Sequence, residues 1–145
     1  MASIFTKILD GDIPGTFVYE DDRCAAFMDI TPMTDGHVLV IPREEIDHWL
    51  DMPEELTSHL MAVAQKIGKA QKKAFSCERI GVLIQGYEVP HVHIHVWPTN
   101  SVEDFRLENT RGSTEAEDIA AAAEKIKAAL ACGPFDSPYC PPVPR

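Results

Sequence analysis

The sequence predicts an α+β fold built on an antiparallel sheet of about five strands, and three observations support this prediction. Strand-like segments come in groups, in the order strand, strand, strand, helix, strand, strand, whereas a parallel sheet would alternate strands with helices. Residues 91–97 alternate histidine with apolar residues, which is typical of a strand that has one buried face. The 145 residues are 45% hydrophobic and 25% charged, a composition typical of a single globular domain.

The first third of the chain predicts a short helix followed by three strands. Ser3 is expected to cap a helix of one or two turns, which Gly11 ends. Residues 16–19 and 24–28 are predicted strands around a polar turn. The β-branched run 37–41 is expected to form a central strand.

The middle of the chain predicts one long amphipathic helix and two further strands. Asp51 is expected to cap this helix, with Glu54 three residues later. Apolar residues then recur at helical spacing as far as Phe75, and they are Leu56, Leu60, Val63, Ile67 and Ala70. Residues 80–84 and 91–97 complete the predicted sheet.

The last third predicts a second helix and a tail. An apolar stripe marks a helix over residues 115–131, and its members are Ile119, Ala122, Ile126 and Leu130. Residues 132–145 are rich in proline and are expected to lie outside the core, with Phe135, Tyr139 and Val143 as anchors on a surface. We therefore expect one domain over residues 1–131, followed by a proline-rich tail.

Charge and composition argue against several classes of protein. The formal net charge of −10 argues against a general nucleic-acid binder, which would present a basic face. No apolar stretch reaches the length that spans a bilayer, and the first residues lack a signal-peptide core, so a cytoplasmic location is expected. The four cysteines form no Cys-x-x-Cys pair, which favours free thiols, with Cys24 as a small apolar strand residue.

The segment His91-Val92-His93-Ile94-His95-Val96-Trp97 carries most of the functional information. Because side chains alternate along a strand, the aliphatic residues are expected in the core and the three histidines on one open face. A merely solvated polar face is one interpretation, and a zinc site is a second. Catalysis near neutral pH is the interpretation we favour, since histidine exchanges protons there.

Several motifs together resemble the histidine triad (HIT) family, in its Hint-like branch. The segment 91–96 resembles the family signature, and residues 20–32 and 37–43 resemble the strands that carry the nucleoside pocket and a fourth site histidine. Residues 3–8, with Ile13-Pro14, are similar to the N-terminal helix of the family. The resemblance extends over about residues 3–100, and several motifs in the right order make it specific.

The resemblance implies a HIT-like fold, usually homodimeric, that cleaves a substituent from the α-phosphate of a nucleoside monophosphate derivative. His93 would be the nucleophile, and it would carry the nucleotide covalently. His95 and His37 would contact the phosphate and donate hydrogen bonds or relay protons. His91 would orient His93 through its backbone carbonyl group. Because His95 is not glutamine, the resemblance favours hydrolysis by water over transfer to another phosphate.

The resemblance also implies a nucleoside pocket. Asp29 would accept hydrogen bonds from the ribose, and a purine, in adenosine most of all, would lie in an apolar slot. The residues expected to form this slot are Ile4, Phe5, Ile13 and Ile30. Gln85 would stand where the family often has Asn. Glu88 stands where many relatives have Ser or Thr, and a carboxylate there would repel phosphate unless it were protonated or turned away.

Alternative functions follow from the same residues. Glu88 and the short loop before the triad suggest a nucleotide-binding or sensing protein with weak or vestigial catalysis, and hydrolysis of dinucleoside polyphosphates is a variant of the main hypothesis. A metal-binding protein with zinc at the histidine cluster is another alternative, although the proposed chemistry requires no cofactor. Ser3 and Thr6 stand where some relatives bind structural zinc through two cysteines.

Three further residues are expected to have no special role. His48 and His59 are expected to be solvated residues on helix faces. Trp97 is expected to pack against the sheet rather than to cover a pocket.

Overall fold

The computed structural model describes residues 2–108 and 110–131, and these ranges form one sheet with three α-helices. The elements, in chain order, are α1 (Ile4–Leu9), β1 (Phe17–Glu20), β2 (Cys24–Met28), β3 (Val38–Pro42), α2 (Glu54–Ala74), β4 (Arg79–Leu83), β5 (Ile94–Thr99) and α3 (Ala116–Ala131). The strands are antiparallel and lie in the order β1-β2-β3-β5-β4. The predicted α+β architecture with five antiparallel strands is confirmed.

The two faces of the sheet have different functions in the fold. The main core lies between the sheet and helices α2 and α3, where Val40, Val96, Leu60 and Ile126 are fully buried. A smaller apolar cluster on Phe27, Leu39 and Ile41 lies under α1. Alternate residues of β2 and β3 therefore enter different clusters, as the period of two in a strand requires.

Helix α1 begins as the sequence predicts. The Oγ atom of Ser3 accepts a hydrogen bond from the backbone N–H of Thr6 at 3.1 Å, which satisfies a donor that the first turn leaves unpaired. Phe5 and Ile8 are the buried residues of this short helix. Gly11 follows it with a φ of +85°, a conformation that glycine adopts at low cost.

The start of α2 differs from the prediction. Asp51 does not cap the helix, because it belongs to a short 3₁₀-helix, Trp49–Asp51. The helix begins at Glu54, and Pro53 is the N-cap residue without any side-chain capping hydrogen bond. Proline is tolerated at this position because its missing N–H would have no helical partner there. Phe75 is the C-cap, close to the predicted end.

Helix α3 forms where the alanine-rich segment predicts it and packs against α2 and β1. Ile119, Ala122 and Ile126 of the predicted stripe are buried, and Leu130 packs against the same core. The proline-rich segment 132–145, with its predicted anchors, lies outside the described residues. None of the helices in ranges 2–108 and 110–131 is long and apolar enough to cross a membrane.

One polar side chain of α2 reaches across the core to the sheet. Gln71 is fully buried, and its Nε2 atom donates hydrogen bonds to the carbonyl oxygens of Gly36 and Val96, both at 2.8 Å. Gly36 precedes β3 and has a φ of +93°. Helix α2 is thereby tied to the chain at the positions directly beside His37 and His95.

Candidate active site

The three clustered histidines lie at the start of β5 and just before it. The strand begins at Ile94, so His91 and His93 precede the strand and His95 lies on it. The intervening residues Val92, Ile94 and Val96 are buried in the main core, as predicted. The histidine rings therefore point to the opposite face of the sheet, toward α1.

That face is not open, which corrects the sequence interpretation. His91 and His93 are only 0% and 4% exposed. Phe5 of α1 covers them, with its ring centroid 5.9 Å from that of His91 and 4.9 Å from that of His93, both in edge-on geometry. The alternation of residues 91–97 predicts which face the rings occupy, whereas their burial depends on a helix that is distant in the sequence.

The hydrogen bonds of His91 and His93 determine which ring nitrogens carry protons. His91 Nε2 lies 2.8 Å from the carbonyl oxygen of Pro42, and His93 Nδ1 lies 2.8 Å from the carbonyl oxygen of His91. Because a carbonyl only accepts, both of these nitrogens must carry hydrogen. Nε2 of a neutral His93 ring therefore keeps its lone pair, and it has no hydrogen-bond partner among the described residues.

Helix α1 also holds the other nitrogen of His91. Ser3 Oγ lies 2.7 Å from His91 Nδ1, and since that nitrogen is the bare one, the hydroxyl donates to it. Glu45 accepts hydrogen bonds from the backbone N–H of Ser3 at 2.5 Å and from the Thr6 hydroxyl at 2.8 Å. These two hydrogen bonds lower the pKa of Glu45. Burial lowers the pKa of His91, which keeps its ring neutral.

The same contacts bear on the structural zinc site that some relatives carry. Ser3 and Thr6 offer neutral hydroxyl groups, which are not the thiolate ligands of a structural zinc site. The Nδ1 atom of His91 already accepts the Ser3 proton. These residues do not fit a zinc ion at this position, and they form a hydrogen-bonded cluster in its place.

His37 and His95 form a second ordered pair. The backbone N–H of Met33 donates to His37 Nδ1 at 2.9 Å, so the proton of a neutral His37 is on Nε2. That Nε2 lies 3.0 Å from His95 Nδ1 and donates to it. The proton of a neutral His95 is then on its own Nε2. The chain of bonds from Met33 through His37 thus presents an N–H donor at the far side of His95.

Burial keeps both rings of this pair neutral. Burial, followed by the neighbouring His95, lowers the pKa of His37 to about 3. Burial, followed by His93, lowers the pKa of His95 to about 4. Trp97, which is 1% exposed, stacks on the His37 ring at a centroid distance of 5.4 Å. Its Nε1 donates to the carbonyl oxygen of Asp104 at 2.8 Å. Trp97 is packed in the protein as predicted, but it also lines the small cavity beside the histidines, which the prediction did not include.

Asp29 stands beside the same pair of rings. Its Oδ1 accepts hydrogen bonds from the backbone N–H and the hydroxyl of Thr31, at 2.9 and 3.1 Å. Its Oδ2 lies 3.5 Å from His37 Nε2 and 3.9 Å from His95 Nδ1. Burial raises the pKa of this carboxyl group. One carboxylate oxygen is thus fixed by a turn, and the other faces the histidines.

A small cavity joins Asp29, His37 and His95 to the loop before the triad. Gln85 and Glu88 line it, as do Thr31, Met33, Leu83, Trp97, Leu107 and Thr110. Glu88 is exposed and has a φ of +73°, the left-handed region that a non-glycine residue rarely adopts. Its charge is among the causes that raise the pKa of Asp29. The cavity therefore combines histidine rings with two carboxyl groups.

The four residues expected to form a base slot are divided between two environments. Phe5 and Ile13 belong to the apolar cluster under α1. Ile4 and Ile30 are 48% and 75% exposed. The structure therefore brings Phe5 and Ile13 together in one apolar cluster and leaves Ile4 and Ile30 at the surface.

Two histidines outside the triad differ from one another. His48 is exposed, at the N-cap of the short 3₁₀-helix. His59 contradicts the expectation of a solvated residue, because its Nε2 lies 2.6 Å from Asp21 Oδ2 and its side chain is 20% exposed. The sequence does not predict the contacts of Ser3 with His91 and of Met33 with His37, although it correctly predicts Ser3 as the cap of α1.

The sequence comparison matches residues 10–102 to the model of the HIT domain. This chain belongs to the histidine triad family. An uncharacterized HIT-like protein of Borreliella burgdorferi is 40% identical over 109 residues, which are 70% of this chain and 78% of that protein.

Solved structures of the histidine triad family share the fold described above. A Hit-like protein from Bartonella henselae, described as involved in cell-cycle regulation, has a TM-score of 0.76 and 38% identity, with 88% of this chain and 95% of that one covered. A hypothetical histidine triad nucleotide-binding protein from Sulfolobus tokodaii has a TM-score of 0.79 and 26% identity, with 92% and 97% covered.

Proposed function

We propose that this histidine triad protein is a nucleotide-binding hydrolase that removes a substituent from the α-phosphate of a nucleoside monophosphate derivative, with adenosine as the expected nucleoside and a phosphoramidate as the model substrate. One observation carries the proposal. His93 Nδ1 is 2.8 Å from the carbonyl oxygen of His91, so the proton is held on the side away from Nε2. Nε2 of the neutral ring is therefore a nucleophile with its lone pair available.

The reaction that these groups support has two displacements. His93 Nε2 attacks the α-phosphorus, the bond from phosphorus to the leaving nitrogen breaks, and the leaving nitrogen takes a proton from solvent. The Nε2–H of His95 donates a hydrogen bond to a phosphoryl oxygen, since His37 holds the other nitrogen. Water then attacks the phosphorus, His93 recovers its lone pair, and the nucleoside monophosphate and one proton are released.

The nucleoside would be recognised by groups on the α1 side of the sheet. Asp29 Oδ2 is not held by the Thr31 turn, so it can accept hydrogen bonds from ribose hydroxyls. The exposed side chains of Ile4 and Ile30 can cover a flat base at the surface. The expectation of a purine, and of adenosine in particular, rests on the family resemblance.

The decisive experiment is a mass spectrum of the protein quenched during incubation with adenosine 5′-phosphoramidate. Wild-type protein is expected to gain the mass of one adenylyl group, and His93→Ala is expected to gain none. His48→Gln is the matched control, because His48 is an exposed histidine at the N-cap of the short 3₁₀-helix. Full turnover by His93→Ala would overturn the proposed nucleophile.

A nucleotide-binding or sensing protein with weak catalysis is the second candidate. It is favoured by Glu88, whose carboxylate shares the small cavity with Asp29. Two carboxylates beside a phosphate oppose its binding and its reaction. AMP binding by wild-type protein without an adduct or any product, and turnover gained in Glu88→Ser, would support this candidate. Hydrolysis of dinucleoside polyphosphates is a variant of the main proposal. Substrates with more anionic leaving groups would test it.

A metal ion beside the triad, at His95 and its neighbours, is a further alternative. One atom each of Asp29, His37 and His95 lie within 4.8 Å of one another, which is compact enough to hold an ion. The proposed displacement uses imidazole groups and needs no metal. Metal-free protein with full phosphoramidase activity would dispose of the alternative, whereas loss of activity on chelation and recovery with zinc would support it.

We also propose that two copies of the chain form a homodimer through β4 and α2. Strand β4 is at the edge of the sheet, so one side of its backbone has no neighbouring strand among the described residues. Val82 on β4 and Met61 on α2 are 44% and 49% exposed. Both side chains line the same groove. Antiparallel pairing of two β4 strands would extend the sheet and bury these side chains. Light scattering after gel filtration is expected to give a dimer for wild type and a monomer for Val82→Asp.

A further inference from the structure

A second cluster of chemically active side chains lies on the helix side of the sheet, opposite the triad. It is made of Asp21 in the turn between β1 and β2, Cys24 at the start of β2, and His59 on α2. Tyr19 of β1 contacts the same carboxylate. None of these residues takes part in the proposed nucleotide chemistry.

The two oxygens of Asp21 have separate partners. Oδ1 accepts backbone N–H groups from Arg23 and Cys24, both at 2.8 Å, which holds the turn. Oδ2 lies 2.6 Å from His59 Nε2 and 3.5 Å from Cys24 Sγ, and it accepts the Tyr19 hydroxyl at 2.9 Å. The carboxylate is thus fixed by the turn, with its second oxygen directed at a thiol and an imidazole.

We propose that Asp21, Cys24 and His59 form a binding site for one zinc-class divalent ion, separate from the triad. Their three ligand atoms lie within 4.8 Å of one another. Sulfur, nitrogen and oxygen together are a donor set that suits Zn²⁺ and Co²⁺, whereas Mg²⁺ and Ca²⁺ prefer oxygen alone. Water would occupy the fourth position of a tetrahedral ion.

The present distances between the ligand atoms can be compared with those expected around a bound zinc ion. Usual zinc bond lengths place sulfur and oxygen ligands about 3.6 Å apart, and nitrogen and oxygen ligands about 3.4 Å apart. The Sγ–Oδ2 distance between Cys24 and Asp21 is already 3.5 Å. The His59 imidazole must move outward by about 0.8 Å from its hydrogen bond. Its side chain is 20% exposed on α2, next to a surface groove that gives an ion access.

Metal binding also requires a change of protonation. Burial, followed by the charge of Asp21, raises the pKa of Cys24 to about 12, so the free thiol is protonated. An ion that binds as described displaces this proton to solvent, while a neutral His59 moves its proton from Nε2 to Nδ1. Burial raises the pKa of Tyr19 to about 12, so its neutral hydroxyl remains a donor to Asp21. One proton is released for each ion bound.

Cobalt distinguishes this site from the triad, because the Asp29, His37 and His95 group offers no sulfur. Chelator-treated full-length protein is titrated with cobalt chloride, and thiolate-to-cobalt absorption is recorded in the near ultraviolet. We expect the absorption to saturate at one ion per chain. The matched control replaces the other three cysteines, as Cys77→Ser, Cys132→Ser and Cys140→Ser together, and it is expected to keep the full absorption.

Two variants test the ligands. Cys24→Ser is expected to lose the thiolate absorption. His59→Gln, on a helix face where the side chain is 20% exposed, is expected to weaken cobalt binding at least tenfold, about 1.4 kcal/mol. Circular dichroism checks that each variant is folded, and zinc chloride is expected to raise the Tm of wild type but not that of His59→Gln. Absence of the absorption in folded wild type would overturn the proposal, as would its loss in the triple control or its full retention in His59→Gln.

Discussion

The Nε2 atom of His37 lies 3.0 Å from the Nδ1 atom of His95, and the direction of this hydrogen bond is set by the backbone N–H of Met33 on the opposite side of His37. The pair therefore keeps this hydrogen-bond direction only while both rings are neutral. A proton added to Nδ1 of either ring would place two donors face to face.

Stability is expected to fall as the pH falls from about 6.5 toward 4. The unfolded chain takes up histidine protons near pH 6.5, whereas the folded protein keeps the pKa of His37 at about 3 and that of His95 at about 4. Between these pH values the unfolded state binds more protons than the folded state. The free energy of unfolding therefore decreases by about 1.4 kcal/mol for each ring and each unit by which the pH is lowered. His37→Gln is expected to flatten this slope, measured by urea unfolding at pH 7, 6 and 5, and His48→Gln is the control. Equal slopes in wild type and His37→Gln would contradict the assignment.

Ser3→Ala is expected to lower kcat about tenfold or more, because the Ser3 hydroxyl holds the ring of His91, which in turn orients His93. The change also removes the cap of α1, at a cost of about 1 kcal/mol. Ser3→Asn keeps a capping side chain without the hydroxyl, and Ser3→Thr keeps the hydroxyl. We expect activity to be lost in the first and retained in the second. Equal kcat in Ser3→Asn and Ser3→Thr, measured with a phosphoramidate, would limit Ser3 to capping.

Gly36→Ala is expected to destabilise the protein more than Gly11→Ala. Both glycines have positive φ, which costs an alanine about 1 kcal/mol. A Cβ at Gly36 would lie 2.5 Å from the ring of Phe75, whereas one at Gly11 would meet nothing within 4 Å. The excess for Gly36→Ala should reach about 1–3 kcal/mol, as for overpacked cores. Urea midpoints of the two variants measure it, and equal losses would mean that Phe75 moves aside freely.

Ile126→Ala in α3 is expected to reduce the free energy of unfolding by about 2–5 kcal/mol. Ile126 is fully buried between α3 and the rest of the core. Lys127→Ala, one residue later on the exposed side, should change stability by less than about 0.5 kcal/mol. A single cooperative unfolding transition in both variants is the expected sign that α3 belongs to the same domain. A separate early transition in Ile126→Ala would contradict it.

The sequence predicts the sheet well because each strand has its own local pattern. The alternation around Val92, Ile94 and Val96 correctly predicts their burial and the opposite direction of the histidine rings. The predicted start of α2 is wrong because Asp51 and Pro53 both suit a helix start, and the local pattern does not decide between them. The helix stripe of α3 was correct because burial at intervals of three and four is a local signal.

The site is predicted only in part, because most of its hydrogen bonds join distant segments. The carbonyl contact from His93 to His91 spans two residues and could be expected from the family. The bond from Ser3 to His91 spans 88 residues, and that from His59 to Asp21 spans 38. Nothing in the pattern around these residues indicates their partners. Such contacts exist only once α1 and α2 are packed on opposite faces of the sheet.

The buried amide of Gln71 links the α2 side of the sheet to the backbone that carries His37 and His95. Its two N–H groups donate hydrogen bonds to the carbonyl oxygens of Gly36 and Val96. These residues are the chain neighbours of His37 and His95, respectively. A single side chain of α2 thus bridges β5 and the residue that precedes His37, which fixes the distance between these two segments. Because the same helix carries the proposed dimer surface at Met61, the pairing of two chains and the alignment of two imidazoles would share one mechanical support.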